Sequence, residues 1–305
     1  MIHAIFKLSR WPNVIIVALV QLTFYYRHLV PTLEANQLER AFDDLHVGLF
    51  VLCSMLITAA GNVINDIFDV QTDEINKPEK MIINRLISEK WAMITYVIQI
   101  GLGAAIAVYL AAHIDRLEWF WIYFVAVALL WVYSKWLKGV VFIGNLTISL
   151  LCVGVFLVII LLEYNALQTL SQINPEAYHR FILIVSGFSV LALMITWTRE
   201  IAKDAEDHDG DLETGWRTIP TTFGLKTTAT ILRILMTVFV GLLLYWLIVY
   251  FSRPIDWILV VPGLILPLCL MIVVLRNYDE QVIYKKISLH LKLMMLLAII
   301  YLYLI

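Results

Sequence analysis

The chain has 305 residues, 61% of them hydrophobic and only 15% charged, against roughly 45–50% apolar residues in soluble globular domains. That balance excludes an ordinary water-soluble fold and makes the bilayer the relevant solvent. A net charge of −2, with no basic arm or acidic tail, excludes nucleic acid as a partner.

A membrane-spanning helix needs roughly 20 mostly apolar residues, and nine such stretches follow one another. They run from Trp11 to Val30, Leu45 to Asp66, Trp91 to Ala112, Trp119 to Trp136, Val140 to Leu162, Phe181 to Lys203, Thr227 to Phe251, Ile255 to Leu275 and Ile287 to Leu304. The first is long enough to be a retained helix, and no small-residue cleavage site follows it. No linker, charge block or low-complexity tract interrupts the series, so a single all-α, polytopic domain over residues 1–305 is expected. Cys53, Cys152 and Cys269 lie within separate spans and form neither a disulfide framework nor a metal-ligand pattern.

Of the 22 Lys and Arg residues, only Arg27, Arg40, Arg116, Arg180 and Arg253 fall on the outer side if the N-terminus is cytoplasmic. The positive-inside rule therefore orients the chain as an integral, multi-pass protein of the cell (inner) membrane. The two longest polar pieces, Ile67 to Lys90 and Asp204 to Lys226, then both face the cytoplasm. Long loops in a compact domain are usually functional.

Both loops open with the same acidic spacing: Asp66, Asp69 and Asp73, then Asp204, Asp207 and Asp211. The recurrence suggests two four-helix units plus one extra helix around a central cavity, as in membrane proteins with internal repeats. If the helix continues through the motif, Asp69 and Asp73 lie about 60° and about 20° from Asp66, so the three carboxylates share one face. Asn62, one turn earlier, joins them. Acids at a helix C-terminus repel the negative end of the macrodipole and one another, so cations must compensate. Mg²⁺ takes a carboxylate or two and fills its octahedron with phosphate oxygens and water, and membrane-adjacent carboxylates are costly unless so paired. Lys77, Lys80, Arg85, Lys203 and Arg217 among the acids, with Arg199, supply donors for a diphosphate.

The sequence Asn65-Asp66-Ile67-Phe68-Asp69-Val70-Gln71-Thr72-Asp73 followed by Ile75-Asn76-Lys77-Pro78, and the second run Arg199 to Asp207 with Gly210-Asp211 and Arg217-Thr218-Ile219-Pro220, resemble the two Asp-rich signatures of the UbiA-type intramembrane prenyltransferases. Arg10-Trp11-Pro12-Asn13 is similar to the N-terminal Arg-x-Pro-Asn of that family, and Tyr133 to Lys138 with Gly144-Asn145 to its mid-chain segment. The resemblance implies a nine-helix fold and a Mg²⁺-dependent enzyme. Such an enzyme would move a prenyl group from a prenyl diphosphate to a lipophilic acceptor, with the isoprenoid tail open to membrane lipid. Asp66, Asp69, Asp73, Asp204, Asp207 and Asp211 would hold the metal. Asn13, Asn62, Asn65, Lys77, Lys80, Arg85, Lys138, Asn145, Arg199, Lys203 and Arg217 would contact the donor, and Tyr133 would face the departing diphosphate or an allylic cation.

After the first motif the family commonly reads Arg-Pro-Ile-Pro-x-Gly, whereas this chain has Lys80-Met81-Ile82-Ile83-Asn84-Arg85. Lys is a point charge without the bidentate grip of Arg, and Arg85 is a candidate substitute. The wording of the second motif resembles members that geranylgeranylate a glycerol-phosphate lipid, with a quinone-precursor or chlorophyll-type acceptor as the alternative. An isoprenoid-lipid transporter or binding protein is the alternative of another class. His208 is the sole histidine in a motif and reads as a solvated loop residue. There is no Walker loop, dinucleotide fingerprint or zinc-ligand pair.

Overall fold

The computed structural model describes residues 2–250 and 253–305. Among them are nine helices long and apolar enough to cross a membrane, and no β-strand. The helices are α1 (Ile2–Leu8), α2 (Trp11–Ala35), α3 (Asp44–Phe68), α4 (Val70–Asn76), α5 (Glu89–His113), α6 (Leu117–Lys135), α7 (Ile143–Leu162), α8 (Tyr164–Ile173), α9 (Pro175–Glu206), α10 (His208–Glu213), α11 (Ile219–Val249), α12 (Pro254–Asn277) and α13 (Gln281–Leu304). Every expected span has its helix. The expected end of the seventh, Phe251, lies outside the described residues.

Local chemistry explains most termini. Asp43 caps α3 by accepting from the His46 backbone N–H at 2.9 Å, and Ser88 caps α5. Thr218 and Thr221 form a capping box at α11, with Pro220 in its first turn. Gly224 then takes φ 80°, ψ 160°, which kinks α11. A residue with a Cβ is strained at this angle.

Packing divides the chain into two units, residues 1–137 with 151–189 and residues 138–150 with 190–305. The boundary runs through α7 and α9, whereas the sequence repeat would place it between these spans.

In the first unit, α2 lies antiparallel to α3. Three hydrogen bonds fix the register: Asn62 Nδ2 to the Ser9 carbonyl (3.0 Å), Gln21 Nε2 to Ser54 Oγ (3.0 Å) and Tyr26 OH to Asp44 Oδ1 (3.0 Å). Small residues bring the next helices close. A Cβ on Gly61 would meet Leu130 of α6 at 3.1 Å, and one on Gly103 of α5 would meet the Tyr123 hydroxyl at 2.8 Å. Phe24, fully buried, packs on Phe156 of α7 and Phe181 of α9. Glu163, also fully buried, accepts from the Tyr25 hydroxyl (2.8 Å) and the Ala41 N–H (2.8 Å), fastening the loop before α3.

The second unit centres on Leu232, Met236 and Phe239 of α11, all fully buried. Tyr284 of α13 is fully buried and donates to the Tyr278 carbonyl at 2.9 Å. Asp256 of α12, with no exposed surface, is satisfied by Arg253 Nη2 (2.8 Å) and the Tyr301 hydroxyl (3.2 Å). A charge buried this deeply would be costly without such partners.

Candidate active site

In the first unit, Asp66 stands in the last turn of α3, Asp69 joins α3 to α4, and Asp73 stands in α4. The helix does not run straight through the motif as expected: it breaks at Asp69 (φ −89°, ψ 1°). The hydrogen-bond ladder nevertheless crosses the break, from Asp69 N–H to the Asn65 carbonyl (2.9 Å) and from Asp73 N–H to the Asp69 carbonyl (2.8 Å). Asp69 is buried, and its Oδ2 accepts from Asn65 Nδ2 at 2.6 Å.

The compensating cation here is Arg10, which the sequence placed in a motif but not in the acidic cluster. Its Nη2 pairs with Asp66 Oδ1. Attraction to Asp66, reinforced by Asp69 and Asp73, outweighs burial and raises the Arg10 pKa further, so the field of all three carboxylates converges on this guanidinium. Arg10 occupies the left-handed region (φ 49°, ψ 54°) between α1 and α2. Asn62 holds that turn through the Ser9 carbonyl, next to Arg10. Asn13, half-buried, lies in the first turn of α2, and Tyr133 is buried in α6.

The loop after α4 is anchored by apolar residues in place of the family's prolines. Ile83 and Ile87 are buried against Ala4, Leu8 and Ile64, Asn84 turns the chain at φ 66°, and the Leu86 N–H bonds the Ile82 carbonyl at 2.8 Å. Arg85 is exposed and donates to the Pro78 carbonyl at 2.7 Å, closing this loop. Lys77 is half-buried at the end of α4, whereas the side chain of Lys80 lies outside the described residues.

The second unit repeats this backbone. Asp204 stands near the end of α9, Asp207 joins α9 to α10 with φ −96°, ψ 10°, and Asp211 stands in α10. Again the ladder crosses the break, from Asp207 N–H to Lys203 (2.9 Å) and from Asp211 N–H to Asp207 (3.1 Å). The recurrence read in the sequence is therefore also a recurrence of conformation. Asn145 of α7, itself buried, donates from Nδ2 to Asp204 Oδ2 at 2.7 Å.

Arg199 pairs through Nη1 with Glu200 Oε1 at 2.5 Å, while its Nε is buried with no hydrogen-bond partner. An unsatisfied guanidinium N–H of this kind suits an anionic ligand. Lys203 is half-buried and Arg217 exposed. His208 Nδ1 donates to Asp209 Oδ1 at 2.9 Å, and Gln281 Nε2 donates to Asp209 Oδ2 at 2.7 Å, tying α10 to α13. The His208 contact, then Gln281, holds the Asp209 carboxyl below its usual range. Trp216 seats its indole on Gly139, where an added Cβ would lie 2.1 Å from Cε3, and the Trp216 backbone N–H donates to the Asp211 carbonyl at 2.8 Å. This fixes the loop after the second motif beside Lys138.

Among the described residues, no three His, Cys, Asp or Glu side chains form a ready-made metal cage. The carboxylates at each helix end, with amide and guanidinium donors alongside, are the hard oxygen ligands that a divalent cation takes when phosphate and water fill its remaining positions.

The UbiA prenyltransferase family matches residues 29–297. The digeranylgeranylglyceryl phosphate synthase of Methanosarcina mazei is 31% identical over 229 residues, 74% of this chain and 72% of that protein. That of Methanobrevibacter smithii is 30% identical over 263 residues, 84% of this chain and 86% of that protein. Among solved structures, one from a study of digeranylgeranylglyceryl phosphate synthase in membranes superposes with a TM-score of 0.66 at 23% identity, covering 99% of this chain and 97% of that one. A UbiA homolog from Archaeoglobus fulgidus bound to GPP and Mg²⁺ superposes with a TM-score of 0.59 at 14% identity, covering 99% of this chain and all of that one. The family match over residues 29–297 and relatives at least 30% identical over most of their length establish that the chain, with its nine apolar helices among the described residues, is an integral membrane protein belonging to the UbiA prenyltransferase family.

Proposed function

We propose that this prenyltransferase moves a geranylgeranyl group from geranylgeranyl diphosphate to the free hydroxyl of geranylgeranylglyceryl phosphate, with Mg²⁺ held at each Asp-rich helix end. The observation that carries the donor half is the acidic helix end that recurs in sequence and in backbone at Asp66/Asp69/Asp73 and Asp204/Asp207/Asp211. The acceptor rests on the two relatives above, both of which are named for that product, and Mg²⁺ on the fit of the carboxylates and the homolog that binds it with GPP.

In the reaction the bond between the prenyl C1 and the diphosphate oxygen breaks, its electron pair leaving with the diphosphate. The acceptor hydroxyl oxygen then bonds C1 and releases its proton. Bound Mg²⁺ would neutralise the charge that develops on the leaving group. Arg10 pairs with Asp66 and orients it, and Asn65 and Asn145 aim Asp69 and Asp204. Arg199, with its buried Nε–H, binds a phosphate oxygen, and Asn13, Lys77, Lys80, Lys138, Lys203 and Arg217 supply further donors. Arg85 has its guanidinium on the loop carbonyl of Pro78 and supports that loop. Tyr133 presents a buried ring to the allylic centre, where apolar walls exclude competing water. Both acidic ends face the cytoplasm, in line with the bias of Lys and Arg.

Purified protein given labelled geranylgeranyl diphosphate and a panel of acceptors is expected to label geranylgeranylglyceryl phosphate. Labelling of aromatic acceptors alone would transfer the chain to the quinone branch, and substrate movement without diphosphate release would mark a transporter.

A further inference from the structure

The far end of the first unit carries a feature that prenyl transfer does not use. Because α2 is antiparallel to α3, Arg27 and His28 lie near Asp44, the opposite end of α3 from Asp66. The 25 residues of α3 span about 37 Å. A cavity of about 470 Å³ opens at this end, lined by Arg27, His28, Asn36, Asn174, Glu176 and Arg180 among others.

Several independent details build this cavity. Tyr25–Leu29 form a π-helical turn in which the Val30 N–H reaches the Tyr25 carbonyl. Pro31 follows, and its ring and missing N–H disfavour a regular α-helical turn there. The extra residue rotates the side chains around it by about 100° relative to an unbroken helix, and such turns recur at functional sites. The opposite wall is cross-linked by hydrogen bonds. Asn174 Nδ2 donates to Asn36 Oδ1 (2.8 Å), Asn36 Nδ2 to the Thr32 carbonyl (2.8 Å), and Asn174 Oδ1 accepts the Ala177 N–H (3.1 Å). This network clamps the end of α2 to the start of α9. Two guanidinium groups, against the single carboxylate of Glu176, give the lining a net positive charge. Few Lys and Arg occur on this side of the chain, so the convergence of two of them at one cavity is not explained by the general charge bias.

We propose that this cavity binds the phosphate group of an anionic membrane phospholipid, gripped by Arg27 and Arg180. Guanidinium groups suit this because they offer paired donors to phosphate oxygens. Their position at a helix-bundle end sets them at headgroup depth. Glu176 accepts from a headgroup hydroxyl, and the acyl chains lie along the apolar outer face of the unit.

The test is native mass spectrometry of the full chain with phosphatidylglycerol, with diacylglycerol, which lacks the phosphate, and with inorganic phosphate alone. Wild type is expected to retain phosphatidylglycerol and neither of the others. Arg27→Gln with Arg180→Gln should weaken that binding at least tenfold. Arg40→Gln, which removes an equal charge at the same end but outside the cavity, should leave it unchanged. The single change Arg180→Gln, at an exposed position, should weaken it severalfold and carries the test if the double variant does not fold. Retention of phosphatidylglycerol by the variants, or equal loss in Arg40→Gln, would overturn the proposal. Saturation by inorganic phosphate without lipid would also overturn it, assigning the cavity to a free anion.

Discussion

Replacing Asn145 by Ala separates a metal-site role from simple helix packing, because the two assign different magnitudes to one bond. The Asn145 Nδ2 to Asp204 Oδ2 contact is 2.7 Å long and its donor is buried. Were it only an interhelical hydrogen bond, it would contribute about 0.6 kcal/mol, the membrane average. If it orients a metal-binding carboxylate, its loss should weaken metal binding by about 10- to 100-fold. At about 1.4 kcal/mol per decade, that is about 1.4–2.8 kcal/mol. The assay is diphosphate release across a Mg²⁺ titration, with the melting temperature of the ligand-free protein measured alongside. The expected result is a rise of at least tenfold in half-saturating Mg²⁺ with a small change in melting temperature. Half-saturating Mg²⁺ within twofold of wild type, together with a lowered melting temperature, would refute the reasoning and return Asn145 to structure.

Other positions give independent tests. Arg199→Lys keeps the charge but loses the buried Nε–H and the planar fork, so the KM for prenyl diphosphate should rise about tenfold while the melting temperature holds; steady-state kinetics checks this. Gly139→Ala should displace the Trp216 indole, and a double-mutant cycle with Trp216→Ala should show coupling of about 0.5–3 kcal/mol in thermal unfolding. Burial raises the Glu163 carboxyl above the ordinary value, so its contribution is fully present below the unfolded pKa and is lost as pH rises through the folded one. The melting temperature of wild type relative to Glu163→Gln should therefore fall as pH increases across that window.

The nine spans were legible because uninterrupted apolar runs of sufficient length have one solution in a bilayer, a helix that satisfies its own backbone. The acidic ends were legible from the spacing of three and four. What failed to show depends on contacts distant in sequence or on exceptions to periodicity. Helix α8 carries Tyr164, Leu167, Leu170 and Ile173 at helical spacing but is only 10 residues long, about half the apolar length that identifies a membrane span. The pairing of Arg10 with Asp66 crosses 56 positions; its one signal was the Arg-Trp-Pro-Asn motif. The breaks at Asp69 and Asp207 leave the hydrogen-bond ladder intact and change only the local dihedral angles, which the spacing of the acidic residues does not encode. Gln281 and Trp216 lie outside any acidic run, and only the fold brings them to the second motif.

The central claim, that both acidic helix ends serve one prenyl transfer, is tested most directly by the stoichiometry of diphosphate to prenylated product in wild type, Asp66→Asn and Asp204→Asn. These substitutions remove metal charge while conserving shape. The account predicts one diphosphate per product in wild type and background turnover in each variant, at any Mg²⁺ concentration, with the folded state retained in detergent. Wild-type turnover in either variant at saturating Mg²⁺ would contradict it.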